Sequence, residues 1–303
     1  GGLVYTYAQL GTLWQRPDLF DQAGTCVALM EGRVDQDENF DVIDGAAGCI
    51  LALAALHRSA PSQQALALAR RCGEHLVARA RPQAQGVGWH SRLEPDAALT
   101  GFAHGAAGIA HALLELHALT GEERFRETAL LALRHERSLF SPERNNWPDL
   151  RGRPQTPGFK TSWCHGSTGI GLGRLASLRH LDDATVRAEL TAALADTRAL
   201  GLGRDHSLCH GDAGGLELLL AAREALGEAA VPGNEPERWA ATMMGSADAR
   251  GWLSGVPLGV ETPGFMVGLA GTGYGLLRLA EPRRVPSVLV LAPCPGDPPS
   301  RVV

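Results

Sequence analysis

A short Gly-x-x-Gly turn that opens onto an apolar segment recurs along this chain, and it limits the fold more than any other feature. The copies are Gly45-Ala-Ala-Gly48, Gly105-Ala-Ala-Gly108, Gly166-Ser-Thr-Gly169, Gly211-Asp-Ala-Gly214 and Gly268-Leu-Ala-Gly271, and the opening Gly1-Gly2 fits the tail of a further one. The closing glycines fall at 2, 48, 108, 169, 214 and 271, so each interval has room for two helices and two loops. The segments after the turns, such as 49–56, 109–116 and 215–222, are almost wholly apolar and belong inside. Between them lie amphipathic stretches, Gln63–Ala80, Glu123–Phe140 and Asp182–Leu200, whose Leu, Ala, Arg and Glu favour outer helices.

Alternating buried and half-exposed helices, six pairs long, predict an all-α fold, an α/α toroid of two concentric rings. Glycine at the start of each inner helix lets backbones approach closely and the chain turn sharply. The six inner N-termini then converge at one end, where free N–H groups and helix dipoles make a floor suited to anions and thiolates. The toroid is expected to span 1–291. Within it, Val285–Leu291 reads as a short extended segment, and 292–303, rich in Pro, Gly and Ser, as a disordered tail.

The chain has 28 basic and 33 acidic residues, a net charge of -5, which argues against a nucleic-acid surface. No apolar run approaches the roughly 20 residues of a membrane span. The six cysteines are scattered through a chain long enough to fold without staples, which points to a reducing, cytoplasmic setting. The chain opens inside a repeat and without Met, so it reads as a piece of a longer polypeptide lacking the start of its first repeat.

The turns differ in what precedes the glycine. Two carry cysteine, Ser162-Trp-Cys164-His165-Gly166 and Ser207-Leu-Cys209-His210-Gly211; another carries Ala103-His104-Gly105, and another Asp41-Val-Ile-Asp44-Gly45. A toroid gathers these side chains. Catalytic zinc takes three protein ligands, commonly Cys or His, and keeps one position open; Cys164, Cys209 and His210 supply such a set. Cys26, Cys49 and Cys72 lie within helical stretches and read as small buried hydrophobes. His57, His75, His111 and His117 read as packing or surface residues. Asp41 is also readable as a turn cap, and His104 as a hydrogen-bonded buried histidine.

In combination these motifs resemble lanthipeptide cyclases of the LanC-like superfamily, over about residues 1–291. More narrowly, with Leu10-Gly-Thr-Leu-Trp14 and Arg284–Leu289, the chain is similar to the C-terminal cyclase domain of class II (LanM-type) lanthionine synthetases. The resemblance implies a catalytic Zn²⁺ on Cys164, Cys209 and His210. The reaction it implies adds peptide cysteine thiols to dehydroalanine or dehydrobutyrine, giving (methyl)lanthionine rings in lantibiotic biosynthesis. It places Asp41 and His104 at the family's other two motifs. His104 is then the candidate acid for the α-carbon, Asp41 its orienting group or an acceptor of the thiol proton, and His165 a second proton donor. Lys160 stands where some relatives have Arg and offers a point charge in place of a fork. His206, Asp212 and Lys160 are candidates for the surroundings of the metal or the substrate, His206 as a structural neighbour rather than a fourth ligand. The implied partners are a dehydrated precursor peptide with its leader and an N-terminal dehydratase domain of the same polypeptide. No phosphate-binding loop occurs in these residues, so dehydration is expected elsewhere.

Two other readings compete. One is a zinc- and thiol- or peptide-binding module without turnover. The other is an α/α-toroid glycoside hydrolase using Asp41 and Asp44, against which stand their closeness in one turn and an aromatic content of 5%.

Overall fold

The computed structural model describes residues 1–152 and 155–294. Its described residues contain eleven α-helices: α1 (Gly2–Leu13), α2 (Pro17–Met30), α3 (Ala46–Ser59), α4 (Gln63–Arg79), α5 (Ala106–Thr120), α6 (Glu123–Ser138), α7 (Ser167–Ser177), α8 (Ala184–Leu200), α9 (Asp212–Leu226), α10 (Glu235–Arg250) and α11 (Leu269–Ala280). The odd-numbered helices form the inner ring, each packed on the next from α1 through α11. The even-numbered helices lie outside, paired with an inner neighbour. This is an α/α toroid.

Burial follows the sequence pattern. Every residue of α5 from Ala106 to Leu116 is buried, whereas α6 buries one stripe that includes Phe125, Thr128, Ala129, Ala132 and Leu133. Each leucine taken wholly inside, such as Leu53, Leu113 and Leu116, contributes about 1.5–3 kcal/mol against entropy. Outer helices start where a cap is available: Ser62 Oγ accepts Ala65 N–H at 3.1 Å ahead of α4, and Asp183 Oδ1 accepts Val186 N–H at 2.8 Å ahead of α8.

The Gly-x-x-Gly turns are set by close approach. A Cβ on the second glycine would lie 2.0 Å from Val42 O at Gly48, 2.0 Å from Phe102 O at Gly108 and 1.9 Å from Trp163 O at Gly169. At Gly214 and Gly271 it would lie 2.4 Å from Leu208 O and 1.7 Å from Phe265 O. In every copy the chain six residues earlier is folded against the first turn of the inner helix. The same folding consumes the helix's N–H groups. Gly48 N–H donates to Asp41 O, Ala106 N–H to Leu99 O, Gly169 N–H to Ser162 O, Asp212 N–H to Asp205 O and Leu269 N–H to Thr262 O. The expected floor of free N–H groups is therefore corrected: the turns' own carbonyls take several of these donors.

Two further expectations change. Only five outer helices occur among the described residues. After α11, Pro282 and Pro286 deny the chain helical continuation. The stretch read as extended, Val285–Leu291, instead contains a one-turn 3-10 helix at Val288–Val290. It packs on α7 and is fixed by its backbone. Val288 N–H donates to Tyr274 Oη at 2.8 Å, while Trp163 Nε1 donates to Leu289 O at 3.0 Å and Tyr5 Oη to Ala292 O at 2.7 Å. The segment thereby bridges the first and last inner helices. Of the expected tail 292–303, Ala292 is tied down in this way, and 295–303 lie outside the described residues. Two short ribbons complete the fold: β1 (Arg81–Pro82) with β2 (Val87–Gly88), and β3 (Pro148–Asp149) with β4 (Gly158–Phe159), both antiparallel.

Candidate metal centre

The turns at the N-terminal end of the inner ring are bonded to one another. Val42 N–H donates to Ala103 O at 3.1 Å, Trp163 N–H to Cys209 O at 3.0 Å and Cys209 N–H to Met266 O at 2.9 Å. A buried charge network braces them from behind. Arg174 joins Glu136 and Glu189, each at 2.7 Å, and Glu136 Oε1 accepts Gly101 N–H at 2.9 Å. Gly101 lies against the Cys164 carbonyl, where a Cβ would come within 3.0 Å.

This scaffold brings Cys164, Cys209 and His210 together, one ligand atom from each within 4.8 Å of the others. His210 Nε2–H donates to Gly255 O at 2.8 Å, which leaves Nδ1 for an ion and fixes the ring. The Cys164 thiol is held well below its usual range by a hydrogen bond from Cys209, then by His210 and Ser162, against the cost of burial. The same contact with Cys164, followed by burial, pushes Cys209 up. Two sulfurs this close together beside an imidazole suit a thiophilic cation. Two thiolates and a neutral imidazole fit Zn²⁺ in a three-ligand site with one position left.

Beside the sulfurs lies a histidine pair. His104 Nδ1 bonds Asp41 Oδ2 at 2.8 Å, and Asp41 Oδ1 accepts Asp44 N–H at 2.8 Å. Asp41 is buried and His104 partly open. The ring of His165 stacks on that of His104 at 5.3 Å between centroids. His165 is 1% exposed; neither of its nitrogens has a hydrogen-bond partner among the described residues, and Nδ1 lies 3.9 Å from Asp149 Oδ1. Burial, then the charge of Arg151, lowers its pKa to about 4.

The other sequence candidates are placed elsewhere. Lys160 is exposed, and its ammonium makes no hydrogen bond or ion pair among the described residues; its carbonyl accepts from Asn146 Nδ2 at 3.0 Å. His206 is buried against Trp252, its Nδ1 accepting Leu253 N–H at 3.1 Å and its Nε2 3.1 Å from Ser246 Oγ. It holds a loop, with both ring nitrogens engaged. Asp212 opens α9, where its Oδ2 accepts Gly203 N–H at 3.0 Å. Asp41 and Asp44 form no acidic pair of the glycosidase kind, since Asp41 is bonded to His104 and Asp44 is exposed. Sequence reasoning missed Asp149 and Arg151, which a ribbon brings to His165 from outside any repeat motif. No local pattern marks them.

A helical toroid with a two-cysteine, one-histidine centre at its turn end defines a class of metal-ready α/α proteins, and sequence comparison narrows the class. The description of the lanthionine synthetase C-like protein family matches residues 1–290, and the chain belongs to that family. The chain is 25% identical over 216 residues to the lacticin 481/lactococcin biosynthesis protein LcnDR2 of Lactococcus lactis subsp. lactis. That match takes in 66% of this chain and 22% of the relative, so the chain spans under a quarter of it. Among solved structures it resembles nisin cyclase, with a TM-score of 0.71 and 17% identity over 95% of this chain and 78% of that one. It also resembles cellobiose 2-epimerase from Bacillus thermoamylovorans B4167, with a TM-score of 0.54 and 10% identity over 84% and 76%. At these identities the likeness is one of fold. No helix among the described residues is long and apolar enough to cross a membrane.

Proposed function

We propose that this chain is a zinc-dependent lanthipeptide cyclase domain, adding a peptide cysteine thiol to dehydroalanine or dehydrobutyrine to form a thioether ring. The observation that carries the reading is the meeting of Cys164, Cys209 and His210 within 4.8 Å beside the Asp41–His104 pair. Family membership and the fold shared with nisin cyclase support it.

A free cysteine thiol has a pKa of about 8.5 and is mostly protonated near neutrality. Zn²⁺ on these three side chains would supply Lewis acidity that favours a bound substrate sulfur as thiolate. The donor set carries two negative charges, which keeps a sulfur there electron-rich and able to attack. Asp41 fixes the tautomer and orientation of His104 through Nδ1, so that Nε2 is the nitrogen left to hold or pass a proton. His104 is the donor to the α-carbon once sulfur has added at the β-carbon. His165, kept neutral by burial, excludes water and offers a hydrogen bond instead of a charge. The substrate is a dehydrated precursor peptide with its leader, and the partner that dehydrates it is an N-terminal domain of the same polypeptide.

The test is direct. The zinc-loaded chain is given a dehydrated peptide, and its remaining thiols are counted by alkylation and mass spectrometry. Loss of alkylatable thiol without change in peptide mass is expected. Full zinc occupancy with untouched thiols sinks the reading in favour of a binding module without turnover.

A further inference from the structure

A charged pair beside the metal centre has no part in the chemistry described so far. Asp149, on β3, holds Arg151 with both oxygens, Nε to Oδ1 at 3.0 Å and Nη2 to Oδ2 at 2.8 Å. The strand is pinned on either side: Thr100 Oγ1 donates to Pro148 O and Gly152 N–H to Glu94 Oε2, both at 2.6 Å. Asp149 Oδ1 lies 3.9 Å from His165 Nδ1, and the charge of Arg151 is felt by His165 and by both Cys164 and Cys209. Asp149 thus spends one edge of the guanidinium fork. Nη1 has no partner among the described residues, and the side chain is 40% exposed. Across Asp149 from it, His165 is buried with no hydrogen bond at either nitrogen among the described residues, an arrangement that calls for a polar atom brought by a ligand.

We propose that Arg151 is a substrate-binding residue, its free Nη1 edge taking the backbone carbonyl oxygen of the dehydroamino acid next to His165, with Asp149 as its positioning residue. This rests on the cyclase reading. As sulfur adds, its electron pair forms the C–S bond at the β-carbon, and the C=C π pair moves through the α-carbon onto that carbonyl oxygen. The enolate collapses when the α-carbon takes a proton, so the proton lost by the thiol is regained and no atom leaves. Full negative charge rests on the oxygen only between these events. A planar guanidinium held there in advance stabilises that charge without reorganising.

The experiment uses the zinc-loaded chain and a synthetic peptide with one dehydroalanine and one cysteine. Arg151→Gln is expected to keep its zinc, raise KM about fivefold and lower kcat by about 10²–10³. Millimolar guanidinium ion should restore part of the rate in the variant while leaving the unaltered protein unchanged. Arg151→Lys should stay slow, because an ammonium lacks the fork. A kcat within about threefold of the unaltered protein's, or a loss that guanidinium does not relieve, overturns the assignment. If the unaltered chain with full zinc leaves the thiol free, the cyclase reading itself falls. Affinity for the same peptide, read by fluorescence anisotropy, then decides: about fivefold weakening in Arg151→Gln supports the assignment, and equal affinity overturns it.

Discussion

His104 and His165 lie ring on ring, 19° from parallel, yet their carboxylates are at different ranges. Asp41 touches His104 at 2.8 Å, while Asp149 stands 3.9 Å from His165. On the proposed cyclase reading the two imidazoles do different work, His104 as a proton carrier oriented by its hydrogen bond and His165 as a wall of the site.

Replacing the carrier should therefore cost more than replacing the wall. His104→Ala is expected to retain zinc and lower the rate of ring closure by about 10²–10⁴, the usual contribution of a positioned acid or base. His165→Phe keeps a stacked ring and should cost less. Time courses of thiol loss, with metal content measured in parallel, decide it.

Cys164→Ala, Cys209→Ala and His210→Ala should each strip the metal while circular dichroism stays that of a helical toroid, because the ligands lie in turns and not in the apolar rings. Zinc added to the apo chain at about a thousand times its Kd should stabilise the fold by about 4 kcal/mol, and a chelator should reverse the gain. Retained zinc in any of the three variants removes that residue from the ligand set.

Two buried glutamates should move stability with pH in opposite directions. Glu115 is grasped by Arg58, Arg179 and His180. Burial opposes its charge, but those partners outweigh burial and its folded pKa is depressed. Its contribution is present above the ordinary carboxylate pKa of about 4.3 and lost as pH falls below it. Glu217 is raised to about 7 by burial, against the pull of Arg278. Its contribution is present below about 4.3 and lost as pH rises toward 7. Glu115→Gln should cost about 1–3 kcal/mol at pH 7 and flatten the acid limb of a melting-temperature profile, whereas Glu217→Gln should raise the melting temperature at pH 7–8.

Gly169→Ala would place a methyl 1.9 Å from Trp163 O, forcing the turn that carries Cys164 away from α7. A loss of about 1–3 kcal/mol is expected, together with weaker zinc binding. Gly24→Ala, in α2 with nothing within 4 Å, is the control and should stabilise by about 0.4–1 kcal/mol. Thermal melts and zinc titrations of both variants check the pair.

What could be read from the sequence was what is local to a turn. The spacing of Gly48, Gly108, Gly169, Gly214 and Gly271 encodes a close approach that recurs six residues back each time. Cys164, Cys209 and His210 precede those glycines, so the repeat predicts their meeting. Asp149 and Arg151 reach the site on a ribbon with no repeat of its own, and only tertiary packing places them. The apolar run of Val285–Leu291 resembles a strand, but among the described residues no strand pairs with it. Its carbonyls at Pro286 and Leu289 accept from Tyr274 and Trp163 instead. Free helix N–H groups were expected because the turn's return path, which supplies their acceptors, cannot be seen from composition.

The Trp163 indole, one residue from the proposed ligand Cys164, donates to the Leu289 carbonyl 126 positions downstream. A ribosome that has released the chain only as far as residue 280 has therefore exposed both cysteine turns without the prop that steadies them. On the proposed reading, metal capture should wait until Leu289 has emerged and folded back onto Trp163.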